Sequence, residues 1–236
     1  EKYSSNIIIE VHNDLVQLFK ETTNFKNIFG KGDKLPDFDF HCPFMSLPLK
    51  LKVSADTIPA YKNYLDYNDN RLKKWEIFFK SKKFKIGINW QGSNNPTFDE
   101  GRSFKVSEFK NISKIENLEL FSLQKVHGLE NLKDFANKNN FKFFKNFDDE
   151  FPFVDTAAII NYMDLIITSD TSVAHLAGAL GKKTFLVLQK NCEWRWALDD
   201  KYSPWYPSII IYKQKKQNDW KAVFDTIKND IITKYF

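Results

Sequence analysis

The chain reads as an α/β protein built on a parallel sheet, and three observations predict it. A short β-branched apolar run, Leu165 to Thr168, is followed by Val173, Leu176, Ala177 and Leu180 at helical spacing and then by a second apolar run, Thr184 to Leu188. A strand, a short helix and a strand within about 25 residues are a parallel βαβ unit. Gly181, directly after the last helix-spaced residue, suits the left-handed position that ends a helix. The same alternation of apolar runs and helix-spaced segments recurs along the rest of the chain, and 42% hydrophobic residues among 236 are enough for a substantial core.

The right-handed crossover rule places the polar stretch Ser169-Asp170-Thr171-Ser172 at the carboxyl edge of the sheet. There the first helical turn offers unpaired N–H groups and the positive end of its dipole, a setting suited to a phosphate or diphosphate. Ser, Thr and Asp also cap most helix starts, and spacing alone does not choose between the two roles. His175 follows Thr171 by four residues and shares its side of the helix. It could donate a hydrogen bond to a ligand over the helix start, or it could be packed beneath the sheet edge.

Taken in order, Asn6 to Val11 is a strand carrying Ile7, Ile8 and Ile9, and Asp14 to Phe19 is a helix with Leu15, Leu18 and Phe19 on one side. The chain opens without methionine into that strand, so it is expected to begin partway through a fold. From Gly30 it turns irregular, and three prolines between Leu35 and Pro48 break any long element. His41 and Cys42 lie there, but neighbours in an extended chain point to opposite sides, which argues against mutual activation. Tyr61 to Lys80 reads as an amphipathic helix joining two lobes, with Leu65, Leu72, Trp75 and Phe79 as its apolar side.

Lys85 to Trp90 opens a second α/β lobe and runs into the loop Gln91 to Pro96, where Gly92 lets backbone approach a ligand. Arg102, one of only three arginines, lies beyond that loop as a candidate anion clamp or a surface salt bridge. Ser107 to Ile115 is a helix, and Leu118 to Leu123 a strand that ends in the polar pair Gln124-Lys125. A helix from Leu129 to Lys138, a strand from Phe141 to Phe144, an acidic loop from Asp148 to Glu150 and a helix from Asp155 to Met163 lead into the central unit. Beyond it come two aromatic stretches, Glu193 to Trp196 and Tyr202 to Pro207, a strand from Ile209 to Tyr212 and a closing helix from Trp220 to Ile232. The rings could stack on a base or sugar, although burial is tryptophan's more frequent fate.

Composition narrows the function. The net charge of +5 comes from lysines interleaved with acids and aromatics, a solvated surface rather than a nucleic-acid stripe. Cys42 and Cys192 have neither zinc nor disulfide-framework spacing, and no D-x-D pair for a divalent metal sits at the key loop, so no metal or cofactor is expected. Asp148-Asp149 and Asp199-Asp200 look like solvated loop acids. Without an apolar run long enough for a membrane span or a signal-peptide pattern, a soluble cytoplasmic protein is expected.

With these loops placed, the chain resembles the glycosyltransferase-like region at the C-terminal end of bacterial tetratricopeptide-repeat proteins. That region is related to the ADP-heptose:lipopolysaccharide heptosyltransferases of glycosyltransferase family 9. The resemblance rests on PDFDFHCPFMSLP (36–48), IGINWQGS (86–93), GRSF (101–104), SLQK (122–125), DTAAII (155–160), SDTSVAHLAGALGKKTFLVL (169–188), EWRW (193–196) and SPWYP (203–207), in order along nearly the whole chain. It implies a GT-B-like fold: a partial N-terminal acceptor-side lobe over 1–60, a connecting helix over 61–81, a Rossmann-like nucleotide-sugar lobe over 82–217 and a closing helix over 218–236. It also implies inverting, metal-independent sugar transfer from a nucleotide-diphosphate sugar to a glycan or lipopolysaccharide-like acceptor. Asp170, Thr171 and His175 would line the donor site, with Thr171 and Ser172 at the diphosphate and Arg102 and Lys125 as basic contacts. Gly92 and Gln124, in the neighbouring loops, are expected donor-binding residues as well. The family's glycine-rich loop after its first strand, where the acceptor base is expected, has no match here, which keeps a non-catalytic nucleotide-sugar-binding or structural module as the alternative.

Overall fold

A computed structural model describes residues 6–93, 99, 101–130, 132–196 and 201–236. Its main body is a six-stranded, wholly parallel sheet formed by β3 (Phe84–Asn89), β4 (Leu118–Ser122), β5 (Phe141–Lys142), β6 (Leu165–Ser169), β7 (Thr184–Leu188) and β8 (Ile209–Lys213). β4, β6 and β7 are buried along their whole length, which is why they read as unbroken apolar runs rather than alternating ones. Side chains still alternate between two layers. Ile86, Ile88, Leu165, Ile167, Phe185 and Val187 face one layer together with Phe109, Phe135 and Phe224, while Phe121, Ile166 and Leu186 face the other with Trp75, Ile159, Ala174 and Leu176.

The helices supplying these layers are α3 (Asp69–Glu76), α4 (Leu132–Lys138), α5 (Val154–Asn161), α6 (Ser172–Ala179) and α7 (Trp220–Tyr235). Before them, α1 (Asn13–Thr22) joins β1 (Ile8–Val11) to a parallel partner β2 (Asn27–Gly30), and α2 is the single turn Leu47–Lys50. The sequence carries no strand signal over 27–30. Four residues that begin with Asn and end with Gly are too few to show a period. Leu18 of α1 joins the larger core alongside Leu65, so this small unit packs onto the main body.

Several expected elements are shorter than their apolar spacing implied. The helix expected from Tyr61 begins only at Asp69, because the backbone ahead of it is committed elsewhere. The Tyr64 and Leu65 amides donate to the Ala179 carbonyl at 2.9 and 3.1 Å, and that of Asp66 donates to Thr22. The Asn68 side chain then accepts from the Asn70 and Arg71 amides and starts the helix. Ser107 to Ile115 proves to be a 3₁₀ turn over Val106–Asn111, and the strand expected over 141–144 is confined to two residues. The α6 helix ends as expected. Gly181 has φ +69°, its amide donates to Gly178 and that of Lys182 to Ala177, the paired bonds of a Schellman motif.

The strand order is β5-β4-β3-β6-β7-β8. The chain builds outward from β3 through β4 to β5, returns to β6 on the other side of β3, and builds outward again. β3 and β6 therefore flank the topological switch point, the crevice in which open α/β sheets bind ligands at their carboxyl ends.

Candidate functional site at the carboxyl edge of the sheet

The switch point is lined by the ends of β3 and β6 and the start of α6. Thr171 is the residue before α6, with φ −138° and ψ 173°, yet its side chain makes no capping bond. Its hydroxyl instead donates to Asn89 Oδ1 at 2.9 Å and lies 3.2 Å from the Thr168 hydroxyl. The Ala174 amide is satisfied by the Thr171 carbonyl. Those of Ser172 and Val173 carry no hydrogen bond among the described residues, and Ser172 is exposed. Two free donors at the positive end of a helix are what an anion requires. Asp170 is buried beside them, and the wholly buried Ser169 hydroxyl has no hydrogen-bond partner among the described residues.

Gln124, expected as a ligand contact, has its amide occupied by the protein. Its Oε1 accepts from Asn89 Nδ2 and from the Trp90 and Gln91 amides, each at 3.0 Å, and its Nε2 donates to the Gln91 carbonyl at 2.8 Å. At 4% exposure it is a latch between the ends of β3 and β4. A continuous chain, Gln124 to Asn89 to Thr171, crosses the switch point. The sequence signals Asn89 only as a polar residue closing an otherwise apolar strand.

Gly92 and Arg102 do come together. A β-carbon on Gly92 would stand 2.7 Å from Arg102 Nη2, so the space the glycine leaves is filled by the guanidinium rather than left for a ligand. Arg102 Nε lies 3.7 Å from Asp99 Oδ1 and makes no hydrogen bond among the described residues. Ser103 closes the loop, accepting from the Gly92 amide and donating to Asp99. Asn94, Asn95 and Pro96 of the same loop lie outside the described residues. Lys125 is less available. Its ammonium donates to the Phe147 carbonyl and pairs with Asp149 Oδ1 at 3.2 Å.

His175 stacks on the fully buried Trp196, with ring centroids 5.1 Å apart, and its Nδ1 lies 3.0 Å from the Tyr206 hydroxyl. Burial lowers its pKa below the ordinary imidazole value. Asp170 opposes the shift, Arg195 reinforces it and Glu193 opposes it. Trp196 and Tyr206 of the aromatic stretches thus wall the histidine, while Trp194 and Tyr202 are exposed.

Two solved structures share this architecture. One is the ADP-heptose LPS heptosyltransferase II of E. coli, with a TM-score of 0.52 at 11% identity over 73% of this chain and 54% of that one. The other is a glycosyl transferase family 9 protein from Veillonella parvula DSM 2008, with a TM-score of 0.51 at 15% identity over 81% of this chain and 51% of that one. The fold is GT-B-like. The chain spans about half the length of either structure. No protein-family model and no curated protein matches the sequence.

A groove of about 500 Å³ runs past Trp90, Phe104, Lys110 and Phe135, and another of about 600 Å³ past Phe78, Phe121 and Phe144; neither includes Thr171, Ser172 or His175. Among the described residues no group of three or more His, Cys, Asp or Glu is placed to hold a metal, and no helix is long and apolar enough to cross a membrane. Both cysteines are free thiols. The Asp199-Asp200 pair lies outside the described residues.

Proposed function

We propose that the start of α6 binds the diphosphate of a nucleotide sugar and that the chain is the donor-binding part of an inverting, metal-independent glycosyltransferase of the heptosyltransferase type. The observation that carries this reading is the pair of free amides at Ser172 and Val173 on a helix whose start is held at the β3–β6 switch point by the Thr171–Asn89–Gln124 chain. Charge growing on the departing diphosphate would meet these amides and the helix dipole, with Arg102 as a candidate basic residue to reinforce them. Asp170 is the only acid in the 165–188 stretch, so the site presents no acidic pair for a divalent cation.

In transfer an acceptor hydroxyl must lose its proton to a base, and no residue of the chain is assigned that role. The binding-module reading is favoured by the commitment of Lys125 to Asp149 and of the whole Gln124 amide to Asn89 and the backbone of residues 90 and 91. Under that reading ADP, GDP or UDP binds while nucleotide-sugar hydrolysis and transfer are both absent.

Ser172→Pro tests the diphosphate site. Proline is compatible with the first helical position, and the extended Thr171 backbone ahead of it tolerates the ring. The substitution deletes one of the two free N–H groups. Calorimetry should show the nucleoside diphosphate that binds best losing about 10- to 100-fold in affinity, as expected for a hydrogen bond to a charged group, with an unchanged melting temperature. Unaltered affinity would refute the site.

A further inference from the structure

His175 has two ring nitrogens, and the structure occupies one of them. Nδ1 lies 3.0 Å from the Tyr206 hydroxyl, which in turn receives a hydrogen bond from the Tyr64 hydroxyl at 3.4 Å. A phenol has a single proton to give. With Tyr64 donating into Tyr206, the Tyr206 proton is free to be donated to Nδ1, and an Nδ1 that accepts is unprotonated. In a neutral imidazole the proton then resides on Nε2. Burial raises the Tyr206 phenol far above its ordinary value, so it stays protonated and keeps a proton to donate.

The ring is also held in place. Trp196 stacks on it at an interplanar angle of 28°, and Tyr206 meets it edge-on at 5.8 Å. Tyr206 can lie this close to α6 because residue 178 is glycine: a β-carbon there would stand 2.5 Å from the tyrosine ring. Helical side chains lean toward the N-terminus of their helix, so His175 leans toward the Thr171 turn, and Asp170 lies near enough to influence its charge. Nε2 carries no hydrogen bond among the described residues.

We infer that Tyr206 is a positioning residue that holds His175 as a neutral Nε2–H donor for the anion at the start of α6, with Tyr64 setting the direction of the chain. The identity of that anion as a nucleoside diphosphate rests on the function proposed above. Tyr64 belongs to the segment whose amides dock on the Ala179 carbonyl at the far end of α6. The relay therefore links that segment to the ligand-facing end of the same helix.

The test is long-range proton–nitrogen NMR on ¹⁵N-labelled full chain near neutral pH, with the His175 ring assigned by comparison with His175→Gln. Wild type is expected to show a protonated Nε2 and a bare Nδ1. Tyr206→Phe, which keeps the ring packing, is expected to show a mixture of both tautomers, and Tyr64→Phe a smaller change in the same direction. A proton on Nδ1 in wild type, or an unchanged tautomer in Tyr206→Phe, overturns the relay. In calorimetry with ADP, Tyr206→Phe should weaken binding roughly two- to tenfold, the worth of one neutral hydrogen bond, and should add nothing to the loss in His175→Gln. Additive losses overturn the positioning role. If wild type shows the expected tautomer yet binds no ADP at millimolar concentration, the nucleotide reading falls while the relay stands.

Discussion

Asn89 and Gln124 show how much of the site is carried by single polar groups with no surface of their own. The Gln124 carbonyl oxygen gathers three N–H groups, two of them backbone. Replacing it by leucine would leave the buried Trp90 amide without an acceptor and release Asn89, which orients Thr171. Gln124→Leu should therefore cost about 2–4 kcal/mol in urea denaturation, the penalty for orphaning buried donors. A loss below about 0.5 kcal/mol, the usual range for a surface change, would show that the latch does not hold the strand ends. That Gln124 stands in a loop at the site was legible from its place after an apolar strand. Its orientation was not, because a polar side chain at a strand end can turn toward ligand or toward backbone with the same sequence.

At the scale of elements, the start of α5 is built by residues seven and eight apart. Asp148 accepts from the Asp155 amide and from the amide and hydroxyl of Thr156, while the Asp148 amide donates back to the Asp155 carboxylate. Asp148 is thus no solvated loop acid. Residues 148 and 153 both have positive φ and fold the loop back onto the helix. Burial raises Asp148 above the usual carboxylate range against those hydrogen bonds. Burial also pushes Asp155 up, but the Trp75 indole and the Lys74 ammonium, which donate to it, outweigh that and hold it low. Because its folded pKa is depressed, the stabilisation from Asp155 is fully present above the unfolded value of about 3.9 and is lost as pH falls through the folded one. Asp148 acts in the opposite sense, since the folded chain holds its proton more tightly. Asp155→Asn should accordingly lower stability by about 1–3 kcal/mol at about pH 7 and by much less at about pH 3. Equal losses at both would exclude ionisation as the source.

Across the whole molecule, the β1–α1–β2 unit is joined to the large sheet through few groups. Arg71 on α3 forms a two-pronged contact with Glu21 of α1, at 3.3 Å from Nε and 3.2 Å from Nη2, and reaches toward Glu150 and Asp155. Leu15, Leu18 and the Asp66-to-Thr22 backbone bond add to the attachment. Arg71→Met keeps the aliphatic stem but leaves the largely buried Glu21 carboxylate unpaired. Native-state hydrogen exchange should then show α1 amides losing protection worth about 1–3 kcal/mol while β6 and β7 keep theirs, the pattern of a unit opening by itself. Uniform loss across both would mean that the two parts unfold as one.

By itself the sequence determined the buried strands, the 184–188 run to its exact ends, the stop of α6 at Gly181, and the polar stretch between a strand and a helix, where the anion site is proposed. Those features depend on neighbours within a few residues: continuous apolar runs, helical spacing and the backbone freedom of one glycine. Only the tertiary structure decided that β3 and β6 are adjacent, and so that Asn89 meets Thr171 across 82 residues and Gln124 across 35. The order of strands in a parallel sheet is written in no local period. Hydrogen bonds between strand ends exist only once the sheet has brought those ends together, and for that reason the partners of Thr171, Gln124 and His175 could not be named from the chain alone.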